Sequence, residues 1–181
     1  MCIAISAMAI SLHAIETLGE RESPLESSED VSTQLCADTI QATVRVKADA
    51  RRLFQALIAP EYVEAWLTIP DSSGPCVVAP VASKALTAWE CFTLNGEPLR
   101  IQTEFLVARR RRLSICWRLQ RNARCLENRI AMRLIGDFSH TMLSICHVGF
   151  NEPDELHWHH QLWQASLSRL ANLYRNKALS N

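Results

Sequence analysis

Residues 43–66, TVRVKADARRLFQALIAPEYVEAW, contain the change of period that decides the fold. Through Lys47, apolar and polar side chains alternate. Ile40, Ala42, Val44 and Val46 fall on one face and Thr39, Gln41, Thr43, Arg45 and Lys47 on the other, as in a strand covered on one side only. Asp49 then occupies a helix N-cap position ahead of ARRLFQAL, in which Leu53, Phe54 and Leu57 share a face at helical spacing. Pro60 ends that helix and opens a second, EYVEAW, from the first position, where a missing N–H costs nothing. The expectation is a strand leading into a corner of two short helices.

Downstream, past the turn-rich PDSSGP and punctuated by turn signals such as Asn95-Gly96, the period returns to two. Leu99, Ile101, Thr103, Phe105 and Val107 mark one strand, and Leu113, Ile115, Trp117 and Leu119 the next. Leu126, Asn128, Ile130, Met132 and Leu134 mark a third, and Thr141, Leu143, Ile145 and His147 a fourth. Beyond Pro153 the rhythm becomes helical, with Leu156, Trp163, Leu167, Leu170 and Tyr174 on one stripe over about five turns. An apolar sheet face needs a cover, and only this last helix is long enough to give one. The fold class is therefore α+β: a curved antiparallel sheet wrapped on a long C-terminal helix, enclosing an apolar cavity.

Upstream, residues 19–34, GERESPLESSEDVSTQ, are acidic and serine-rich, and read as a linker that cannot repay the entropy of ordering. The preceding MCIAISAMAISLHAI is apolar, but no Lys or Arg comes before it and it is too short for a membrane span. It reads as a loosely helical or disordered extension, or as a start placed too far upstream, in preference to a signal peptide. The organisation is thus an extension and linker over 1–36, one folded domain over 37–177, and a tail over 178–181.

Lys plus Arg equals Asp plus Glu at 19 each, so no global field draws the chain to nucleic acid or to an anionic membrane. Seven cysteines, with no C-x-x-C pair, read as reduced, buried thiols in a cytoplasm-like compartment, with neither a disulfide framework nor a zinc site.

Order and local residues together resemble the START-like helix-grip superfamily, also called SRPBCC, and within it the branch of small bacterial domains similar to heat-shock ATPase activators. In the opening segment Phe54 stands in the aromatic place of that branch and Trp66 is its closing tryptophan. ARRRRLSICW at 108–117, LSICHVGF at 143–150 and LWQASLSRL at 162–170 carry the rest, with Leu162 standing where relatives often have glycine. The resemblance implies a cavity between sheet and helix that holds apolar molecules in some relatives. It implies no single reaction.

The ligand-binding candidates are the inward positions Ile101, Thr103, Ile115, Trp117, Asn128, Ile130, Met132, Leu143, Ile145 and His147 on the sheet, facing Trp163 and Leu167 on the helix. His147 is the one candidate for acid–base work, weighed against simple ligand contact and against packing as a satisfied core residue. His157, His159 and His160 flank the start of the last helix. No carboxylate or cysteine completes a metal set there, so they read as solvent-exposed, and no metal or cofactor is assigned. The block Arg109–Arg112 reads as a solvated turn that blunts a sheet edge. The expected function is binding of a small hydrophobic or aromatic molecule. Two alternatives stand beside it: a cyclase- or hydrolase-type enzyme using His147 with Asn128 or Thr103, and an interaction module that stimulates a chaperone ATPase.

Overall fold

The structure, a computed structural model, describes residues 31–70, 76–81, 88–93, 99–121, 124–136 and 138–177. The apolar N-terminal stretch, most of the PDSSGP segment, the Asn95-Gly96 turn and the tail over 178–181 lie outside these residues.

Eight strands form one antiparallel sheet: β1 (Val31–Cys36), β2 (Thr39–Val46), β3 (Cys76–Val81), β4 (Ala88–Thr93), β5 (Leu99–Arg109), β6 (Arg112–Arg121), β7 (Arg124–Gly136) and β8 (Thr141–Val148). Their order, β1-β2-β8-β7-β6-β5-β4-β3, is a meander interrupted once, where β8 returns to lie beside β2. Helices α1 (Ala50–Ile58) and α2 (Pro60–Trp66) follow β2, and α3 (Pro153–Lys177) closes the chain.

The helical corner forms for the reasons its sequence gives. The Asp49 carboxylate accepts hydrogen bonds from the backbone N–H groups of Arg51 and Arg52, each at 2.9 Å, satisfying two donors that a helix start leaves unpaired. Leu53, Ala56 and Leu57 bury one face of α1, and the Trp66 indole N–H donates to the Ala56 carbonyl at 2.8 Å, tying α2 back onto α1. Beyond α2 the chain is pinned to α3, because Ser166 Oγ accepts from the Thr68 N–H at 2.9 Å. The Arg109–Arg112 block is an exposed turn between β5 and β6.

Two readings are corrected. The extension and linker were expected to reach residue 36, yet Val31–Cys36 pairs along its whole length with β2, from Val31 opposite Val44 to Cys36 opposite Thr39. Most side chains of this edge strand are exposed, so its backbone ladder, more than apolar burial, holds it, and side-chain patterning gives little sign of it. The turn into β2 even places Ala37 at φ 51°, a left-handed conformation that a residue with a Cβ adopts only under constraint. The second correction concerns thiols: Cys36, Cys116, Cys125 and Cys146 are free, but Cys91 is disulfide-bonded. Pairing depends on which cysteines the fold brings within reach, so spacing did not reveal it. The cytoplasm-like compartment inferred from reduced thiols loses that support. Among the described residues no helix is long and apolar enough to cross a membrane.

Candidate functional site

Period-two alternation sends the inner-face residues of neighbouring strands into rows that register fixes. One row runs Ile40, His147, Ile130, Ile115, Phe105 across β2, β8, β7, β6 and β5. The next runs Asn128, Trp117, Thr103, and Thr103 Oγ1 extends it to β4 by donating to the Trp89 carbonyl at 2.8 Å and accepting from the Trp89 N–H at 3.2 Å. Ile145 and Met132 pair in a third row, and Leu143 pairs with Leu134 in a fourth. Ile101 lies opposite Cys91 and Leu119. All twelve candidate residues, including Trp163 and Leu167 from α3, are buried, none more than 4% exposed.

Six of the twelve, Thr103, Ile115, Trp117, Asn128, Ile130 and His147, share the two rows nearest the start of α3, and Trp163 joins them from the helix. The Trp163 indole N–H donates to His147 Nδ1 at 3.0 Å, a buried bond between helix and sheet. Trp117 is the hub of the rings, with centroids 5.9 Å from Trp89 in an edge-to-face arrangement and 6.0 Å from both His147 and Trp163. Met132, Ile145 and Leu143 lie in the aliphatic rows and Ile101 beyond Thr103 on β5, while Leu167 lies one turn past Trp163 on α3.

His159 departs most from expectation. It is fully buried, with its ring centroid 5.0 Å from that of His147 and the planes perpendicular, while His157 is exposed and bonded to Gln161. His159 therefore turns into the core while His157 faces outward. His159 Nδ1 lies 2.8 Å from the Glu155 carbonyl, one helical turn back. Its signal in the sequence was spacing: residue 159 precedes Trp163 and Leu167 by one and two steps of four, on the buried stripe. Phe150, packed against His147 at 4.6 Å and His159 at 5.0 Å, and Trp158, at 4.9 Å from His159, complete the cluster. Trp89 was also missed, although it alternates with Cys91 along β4.

Burial sets the electrostatics. Desolvation holds His147 well below the usual imidazole pKa, helped by the neighbouring His159, and holds His159 down to about 4 against a bond to the Glu155 carbonyl that works the other way. Both rings are neutral at ordinary pH. Among the described residues, six buried side-chain atoms have no hydrogen-bond partner: Nε1 of Trp89, Trp117 and Trp158, Nδ2 of Asn128, and Nε2 of His147 and His159. All six belong to this one cluster. Thr103 differs, because its hydroxyl proton is committed to the Trp89 carbonyl.

The family described as Activator of Hsp90 ATPase homolog 1-like protein matches residues 47–175. No curated protein sequence matches the chain. Among solved structures the chain is similar to protein CV1439 from Chromobacterium violaceum, at 20% identity over 76% of this chain and 97% of that one, with a TM-score of 0.59. It is similar to CalU16 from Micromonospora echinospora at 15% identity over 83% and 87% of the two chains, TM-score 0.54. It is also similar to MLL2253 from Mesorhizobium loti at 19% identity over 76% and 97%, TM-score 0.59. At these identities the likeness is one of fold.

Proposed function

The chain belongs to the Activator of Hsp90 ATPase homolog 1-like family, within the START-like helix-grip superfamily, and on that premise we propose that it binds a small hydrophobic or aromatic molecule between the sheet and α3. The observation that carries the reading is the concentration of unpartnered buried polar atoms inside a cluster of aromatic rings. Each such atom costs about 1–3 kcal/mol when it has no partner, and folded proteins ordinarily hold few. A largely apolar wall with a few placed polar groups is how small-molecule sites are built. The rings close on one another, so a ligand enters by parting them. Phe150 and Trp158, the most exposed members of the cluster, mark the way in.

Thermal unfolding against a library of aromatic compounds and lipids tests this. A ligand at one hundred times its Kd adds about 2.7 kcal/mol to stability, a rise of several degrees in Tm. Native mass spectrometry of protein purified from its own host should retain a bound mass. No shift across the library together with no retained mass would overturn the reading.

A cyclase- or hydrolase-type reaction is the second reading, favoured by the His147 Nε2–H, whose ring is anchored from behind by Trp163 and which is able to polarise a bound carbonyl. Asn128 Nδ2 is a second free donor for that role, whereas Thr103 is not. Stimulation of a chaperone ATPase, suggested by the family's description, would use another surface; an assay with the host chaperone decides it.

A further inference from the structure

The two buried histidines are fixed in opposite tautomers by the partners they already have. An indole N–H only donates, so His147 Nδ1, which accepts from Trp163, carries the lone pair, and the neutral ring keeps its proton on Nε2. A carbonyl oxygen only accepts, so His159 Nδ1, bonded to the Glu155 carbonyl, carries the proton, and its Nε2 is left with the lone pair. Burial keeps both rings neutral, so neither assignment is undone near neutral pH. Both Nε2 atoms are buried without a partner among the described residues, one a donor and the other an acceptor.

The ring centroids are 5.0 Å apart. The two rings are therefore close neighbours, and one oxygen held at about 2.8 Å from each Nε2 would bridge nitrogens up to about 5.6 Å apart. We infer that this pair reads a hydroxyl group carried on an aromatic ring, an oxygen that accepts from His147 Nε2–H and donates its own proton to His159 Nε2. A carbonyl or ether oxygen would satisfy His147 and leave His159 unpaired, and an N–H group would do the reverse. The surrounding faces of Trp117 and Phe150 suit the ring that bears the hydroxyl. The inference rests on the ligand-binding reading above and specifies its chemistry.

Isothermal titration of the full chain with 2-naphthol, 2-methoxynaphthalene and naphthalene separates the two. The hydroxylated probe is expected to bind at least about ten-fold more tightly than the ether, and His159→Phe should bring these two affinities within about two-fold of each other, both still above that of the hydrocarbon. Equal affinities for the naphthol and its methyl ether, or a preference over the ether that survives His159→Phe, would overturn the hydroxyl inference and leave the binding reading intact. Binding of none of them overturns the hydroxyl inference, while the binding reading stands or falls on the library and the retained mass described above. Should His159→Phe fail to fold, imidazole 15N chemical shifts of the unsubstituted protein decide the matter. The expected pattern is a proton on Nε2 of His147 and on Nδ1 of His159, with both Nε2 resonances moving on addition of 2-naphthol. The opposite tautomer in either ring, or unmoved resonances with naphthol bound, sinks the inference.

Discussion

Trp163 on the last helix and His147 on the last strand are joined by a 3.0 Å hydrogen bond buried between helix and sheet, with the indole as donor and Nδ1 as acceptor. Trp163→Phe keeps most of the ring volume but leaves a second His147 nitrogen unpaired, at a cost of about 1–3 kcal/mol. In a His147→Leu background that bond is already gone, so the same substitution should cost at least about 1 kcal/mol less. Urea unfolding of the four proteins in this cycle measures the difference. Additive costs would mean that the bond contributes nothing.

Stability should fall as the solution is acidified from pH 7.5 to 5. The folded-state pKa values of His147 and His159 are depressed, so the unfolded chain binds more protons below the ordinary value of 6.5, and the stability contributed by the neutral rings is lost from there towards about 4 for His159. For His159 alone the loss by pH 5 is about 2 kcal/mol. Glu127, held low chiefly by its bond from Arg118, loses its contribution only below the ordinary carboxylate value of 4.5, and Glu155, pushed up by burial, acts in the opposite sense near that end. As pH falls, the denaturant midpoint of the unsubstituted protein should drop by more than that of His159→Phe. Parallel curves would refute the assignment.

Thr103→Val is nearly isosteric, but it removes the hydroxyl that both donates to and accepts from the Trp89 backbone. Two backbone groups of β4 lose a buried partner, and the expected cost is about 2 kcal/mol. Amide exchange should quicken at Trp89 before it does in β6 or β7. Unchanged exchange there would show that the hydroxyl does not hold β4.

Leu162 is fully buried on α3. Leu162→Ala should cost about 2–5 kcal/mol, because its neighbours collapse only partly into the space left behind. If this leucine fills room that a ligand would otherwise use, the same variant should bind naphthalene more tightly despite its lower Tm. A lower Tm with no gain in affinity would place Leu162 in the core and outside the site.

Every long element was legible because each obeys a single period. The alternation along β5 to β8 and the stripe on α3 follow from one-sided burial, and Asp49 and Pro60 announce the helix starts by backbone chemistry alone. β1 escaped notice because an exposed edge strand is held mainly by its ladder, to which almost any residue contributes equally. His147, Trp117, Asn128 and Trp163 were legible as inward positions, since periodicity decides which face a residue occupies.

The sequence by itself determined the α+β architecture, the faces of the strands and the wall that meets the last helix, because these depend on local geometry repeated at a fixed spacing. Only the tertiary structure decided that His159 turns inward to lie perpendicular to His147, that Phe150 packs against both, that Cys91 is disulfide-bonded, and which histidine nitrogens keep a proton. Those facts depend on contacts between residues far apart in the chain or at the end of an element, where partner and burial, and no period, fix a side chain's state.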